Sequence, residues 1–216
     1  MNHTAAQLMQ DERARVAVRG QRLEYFTIAY NSLEGLIAVI FGAIAGSIAL
    51  VGFGFDSVIE VTSGAVLLWR LRAEMDEERR ERAEARSLRV VGICFLALAI
   101  YVGYEAAASL ARREPPDESV PGIVLAAVSL VIMPLLARAK RRVARGIESA
   151  AMTADAKQTE LCAYLSAILL GGLALNALLG WWWADPVAAL LMVPIIGAEG
   201  YRALRGESCC EQGTCR

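Results

Sequence analysis

The chain has 216 residues, 56% of them hydrophobic, and a formal net charge of −1. The apolar residues are clustered, which excludes an ordinary water-soluble domain. The charges sit in blocks between the apolar runs, so the near-zero balance says little, and no nucleic-acid partner is expected.

The opening segment, Met1–Arg22, is polar and has no apolar stretch of the secretory type, so the first apolar run is expected to be an uncleaved anchor. Apolar segments follow at 24–44, 46–70, 90–111, 120–138, 150–179 and 183–204. Each approaches the roughly 20 apolar residues that a bilayer span requires. The expected fold class is therefore an all-α integral membrane protein of six spans. A cytoplasmic segment (1–23) precedes the membrane domain (24–204), and a cysteine-rich tail (205–216) follows it.

Gly42, Gly46 and Ser47 are the turn-formers between the first two segments, which predicts an antiparallel helical hairpin. The stretch Arg70–Arg89 mixes Glu and Arg at helical spacings and predicts a solvated extension of span two. Span four is short and carries Pro134. Between spans five and six, Trp181, Trp182 and Trp183 form an interfacial aromatic anchor. Asp185-Pro186 then predicts a helix start, with Asp as the N-cap and Pro at the first helical position.

Basic residues orient the bundle. Arg13, Arg15, Arg19 and Arg22 precede span one, seven Arg lie between spans two and three, and Arg138, Lys140, Arg141, Arg142 and Arg145 lie between four and five. On the other side only Arg112 and Arg113 occur, between spans three and four. This bias predicts cytoplasmic N- and C-termini in the cell membrane.

Asp56 and Glu60 lie within span two, four residues apart, and so project from one helix face. At 1.5 Å per residue they are roughly 14–20 Å in, near the middle of a hydrocarbon core about 30 Å thick. Carboxylates there cost several kcal/mol unless compensated, so a bound cation is the simplest compensation. In span five Asp155, Gln158, Thr159, Cys162 and Ser166 form one polar stripe. Gln158 and Cys162 fall at the depth of Asp56 and Glu60, so two antiparallel helices present four donors to one point. Carboxylates suit many divalent cations, and a thiolate shifts preference toward zinc, cadmium or cobalt. His3 is the only histidine, so the spans carry none.

Asn31 and Glu34 share a face of span one; Glu34 is read as a ligand, a path residue, a proton carrier or a hydrogen-bonded interhelical carboxylate. Glu160 points away from the stripe. Cys94 is read as a small buried side chain. Cys209, Cys210 and Cys215 are read as reduced cytoplasmic thiols able to clip a soft metal. No nucleophile with a paired base is visible, so an enzyme is not expected. A non-transporting metal sensor or scaffold is the alternative to a transporter.

At these residues the chain resembles the cation diffusion facilitator family, whose members have six spans. Gly46-Ser47-Ile48-Ala49-Leu50 followed by Asp56 and Glu60 resembles the family's second span. Ala154-Asp155 aligns with its fifth, which puts Gln158 and Cys162 on ligand positions. Asp185-Pro186 and Glu199-Gly200-Tyr201 resemble the opening and close of its sixth. Phe53 stands where members often carry a further Asp, and the usual His/Asp ligands are replaced by Asp, Glu, Gln and Cys. The family's cytoplasmic metal-binding domain is not expected after span six. The resemblance implies efflux of a divalent heavy metal by alternating access, in exchange for protons, from a homodimer in the lipid bilayer.

Overall fold

The computed structural model describes residues 2–72, 77–113, 116–147 and 150–205. All regular structure among them is helical: α1 (Asn2–Ala45), α2 (Ile48–Arg72), α3 (Glu77–Arg112), α4 (Val120–Ile147), α5 (Ala150–Leu179) and α6 (Ala184–Arg205). Each contains a stretch long and apolar enough to cross a membrane, from Val18–Ala45 in α1 to Ala184–Arg205 in α6. The protein is an all-α, multi-pass membrane protein.

Close packing joins α1 to α2, α3 to α6 and α4 to α5. Helix α2 also touches α3, α5 and α6. Its most apolar stretch is 56% buried, against 28% for that of α6, so the helix carrying Asp56 and Glu60 is the most enclosed. Small residues allow the approach. A Cβ on Gly42 would lie 2.8 Å from the Val51 nitrogen, and one on Gly92 would lie 2.8 Å from the Gly200 carbonyl oxygen.

The predicted hairpin is present. Gly46 adopts φ +67°, and the Ser47 N–H donates to the Gly42 carbonyl at 2.9 Å, a Schellman closure of α1. Ser47 then caps α2 by accepting the Leu50 N–H on Oγ at 3.1 Å.

The start of α6 differs from expectation. The Trp183 carbonyl accepts the Val187 N–H, so Trp183 holds the cap position and Asp185 lies within the first turn. The Asp185 carboxylate instead crosses to α2. Its Oδ1 accepts the Ser47 hydroxyl at 2.5 Å and its Oδ2 accepts the Ile48 N–H at 3.0 Å. The free N–H groups opening α2 attract an anion, and Asp185 is the anion beside them. Trp181 and Trp183 stack with centroids 5.1 Å apart.

Three further expectations change. The charged stretch from Glu77 belongs to α3, not to an extension of α2, which is described to Arg72. Span four does not stop near residue 138, because α4 continues to Ile147. Its Lys140 is fully buried rather than part of a solvated loop. Cys94 is exposed on α3 rather than buried, a position that a side chain behaving as a small hydrophobe tolerates on an apolar helix. The cysteines at 209, 210 and 215 lie outside the described residues.

Candidate metal site

Asp56 and Glu60 are the ninth and thirteenth residues of the 22-residue span Ile48–Trp69, so both sit near its middle. They are only 6% and 1% exposed. Helix α5 faces them with buried Asp155, Thr159, Cys162 and Ser166, as the 3-4 spacing required. The Thr159 hydroxyl donates to Glu60 Oε1 at 2.8 Å. Cys162 lies beside both carboxylates. Glu60 Oε2, by contrast, has no hydrogen-bond partner.

The structure thus places Cys162 of α5 next to each of the two α2 carboxylates. Gln158 lies at the edge of the stripe: its side chain is partly exposed, and its enclosed Nε2 has no partner. Thr159 stands nearer to Glu60 than its role in the sequence pattern suggested. Among the described residues, no three His, Cys, Asp or Glu side chains form a ready-made metal cluster. Closing a coordination sphere here therefore requires neutral donors as well.

Glu34 is fully engaged. It accepts hydrogen bonds from Ser57 Oγ at 2.9 Å and from Ser129 Oγ, and Ser129 in turn contacts the Tyr30 hydroxyl at 2.7 Å. Of the readings open to Glu34, that of a hydrogen-bonded interhelical carboxylate matches this geometry. Glu160 pairs with Arg141 of α4, away from the stripe.

A second buried charge group lies nearer the arginine-rich end. Lys140 Nζ is 2.5 Å from Asp155 Oδ2 and 3.3 Å from both carboxylate oxygens of Glu24, tying α1, α4 and α5 together. Lys140 and Glu24 are fully buried and Asp155 nearly so. One ammonium faces two carboxylates, an arrangement tolerable in a dry interior only because each charge has a partner. Sequence reasoning placed Lys140 in a loop and passed over Glu24. The signal was available in the spacing: Ser129, Met133, Leu136 and Lys140 fall 4-3-4 along α4, and Glu24, Thr27, Asn31 and Glu34 fall 3-4-3 along α1. All eight are buried.

Residues 25–207 match the family model described as the cation efflux transmembrane domain. Over 154 residues the chain is 28% identical to an uncharacterized transporter of Synechocystis sp., covering 68% of this chain and 50% of that protein. Over 127 residues it is 30% identical to the cation-efflux pump FieF of Shewanella oneidensis, covering 57% of this chain and 41% of that one. The chain spans about half the length of the curated relatives it matches.

Proposed function

The chain belongs to the cation diffusion facilitator family of cation efflux proteins, and from that premise we propose that it carries a divalent heavy-metal cation, zinc, cadmium or cobalt, out of the cytoplasm in exchange for protons. The observation that carries this reading is the pair Asp56 and Glu60, buried at mid-span beside Cys162, with one carboxylate oxygen unpartnered. Such groups are costly at that depth unless a positive ion visits them. Asp56, Glu60 and Cys162 supply charged donors, and Gln158 supplies a neutral oxygen at the edge of the stripe. The mixed oxygen and sulfur set suits borderline-soft divalent ions better than calcium or magnesium.

Ligand binding to metal requires deprotonated carboxylate and thiolate, so protons and metal compete for the same atoms. Protons entering from outside then promote release, and metal entering from the arginine-rich side displaces them. Alternating access would open the site to one face at a time, with both termini cytoplasmic, in the cell membrane and as a homodimer. The test is flux into proteoliposomes. Wild type should move at least one of the three metals, and Asp56→Ala and Glu60→Ala should not. Variants as fast as wild type would refute the site. Metal binding without flux in wild type would make the protein a sensor or scaffold.

A further inference from the structure

We propose that Asn31 of α1 supplies a further ligand to the transported cation, its side-chain carbonyl oxygen, so that the site is built from three helices rather than two. This rests on the reading of Asp56, Glu60 and Cys162 as a cation site.

The first observation is burial without partners. Asn31 is fully buried, yet neither Oδ1 nor Nδ2 has a hydrogen bond. A buried amide normally finds partners, so one lacking both invites an explanation. The second observation is register. Helices α1 and α2 run antiparallel and are fixed by two rungs: Glu34 accepts from Ser57, and Glu24 Oε2 would lie 3.1 Å from a Cβ on Gly64. Asn31 lies three residues from Glu34 toward Glu24, on the same buried stripe. Glu60 lies three residues from Ser57 toward Gly64. Asn31 and Glu60 are therefore the rung between, facing each other across the α1–α2 contact. Each brings an unpartnered oxygen to that level, Asn31 Oδ1 and Glu60 Oε2.

The other two walls are at the same level. On α4, Met133 lies between Ser129, which contacts Glu34, and Lys140, which contacts Glu24. On α5, Thr159 reaches Glu60 directly and Cys162 is one turn on. A cation held by Glu60 would thus have the Asn31 amide within the same layer. The donor geometry agrees, because among the described residues the acids and the thiol do not by themselves form a ready-made metal cluster, which leaves room for a further neutral donor. An amide oxygen adds coordination without adding negative charge, which limits repulsion in the empty site.

The test is metal affinity of the purified full-length chain in lipid nanodiscs. Co2+ is titrated by its visible absorption, and Zn2+ by competition. Asn31→Leu should weaken both by at least about tenfold, the low end of what loss of even an outer partner of a metal ligand costs. Asn31→Asp keeps an oxygen donor and should bind at least as tightly as wild type. If Asn31 only packs, Asn31→Leu removes an unpartnered amide, raises thermal stability and leaves affinity unchanged. That result would overturn the proposal. Should Asn31→Leu fail to fold, weaker binding by Asn31→Asp would overturn it instead. Asp56→Asn and Glu60→Gln serve as the control for the underlying reading. If they bind as wild type, the cation site itself is misplaced; if they lose binding while Asn31→Leu retains it, only the third-helix ligand fails.

Discussion

Asp185 and Glu60 are both buried carboxylates inside the bundle, and they are treated in opposite ways. Asp185, near the short turns, has Ser47 Oγ and the Ile48 N–H on its two oxygens, with the Ala49 N–H farther off at 3.5 Å. Glu60, at mid-span, has Thr159 on one oxygen and nothing on the other. Glu34 belongs with Asp185, because serines occupy both of its oxygens. Burial alone therefore does not mark a functional acid in this protein. A carboxylate whose acceptors are filled holds helices together. So does one paired with a buried ammonium, like Glu24 and Asp155, each of which also has one oxygen without a hydrogen bond. A carboxylate with an open oxygen and no ion pair can receive something that is not protein.

The contrast is broken most sharply by neutralising each acid in turn. Asp56→Asn and Glu60→Gln should reduce metal flux by on the order of a hundredfold or more, the upper end of effects seen when metal-site partners are removed. Glu60→Gln should not lower the thermal stability of the metal-free protein, since Gln keeps an oxygen to accept from Thr159 and Glu60 Oε2 has no bond to lose. A clear fall in melting temperature for Glu60→Gln would move it into the structural class.

Lys140→Met should give the largest loss of stability. It leaves Glu24 and Asp155 buried without their counter-charge, and breaking such a group costs about 3–5 kcal/mol. Adding Glu24→Gln and Asp155→Asn to Lys140→Met should restore much of it. Thermal unfolding in detergent reads both, and a single variant as stable as wild type would show that the triad is not a fastener.

Asp185→Ala should cost about 1–3 kcal/mol, the penalty for leaving buried donors unpaired, and should leave Co2+ affinity unchanged. Combined with Ser47→Ala the losses should be less than additive, because the two side chains share one hydrogen bond. A change in metal affinity would mean that the turn end and the mid-span site are coupled.

Much of this was legible in the sequence because membrane helices are announced by length and hydropathy. Six spans, the Gly46 turn and the depth of Asp56 and Glu60 follow from counting residues. The neighbourhood of α2 and α5 followed from matching polar stripes at one depth. Lys140 was misplaced because a basic residue in a run of Arg138–Arg145 reads as solvated, whereas its partners Glu24 and Asp155 lie 116 and 15 residues away. Asp185 was assigned to its own helix because local capping rules cannot see that the open N–H groups of α2 lie beside it. Asn31 could be placed on a face, but its lack of partners exists only in three dimensions.

The smallest effect tests the same contrast at the surface. Glu160 pairs with Arg141, but their side chains are 35% and 42% exposed. Water and headgroups compete for both charges, and holding two long side chains together opposes the Coulomb attraction. Exposed pairs of this kind contribute about 0–1 kcal/mol. Glu160→Gln should therefore change the melting temperature little, and high salt should erase what difference there is. Glu160 and Asp155 sit five residues apart on one helix, so a substitution that is nearly silent at 160 and severe at 155 would show that enclosure, rather than the presence of a basic partner, determines what each ion pair contributes. Equal losses at the two positions would mean that the outer pair is as enclosed in the bilayer as the inner one.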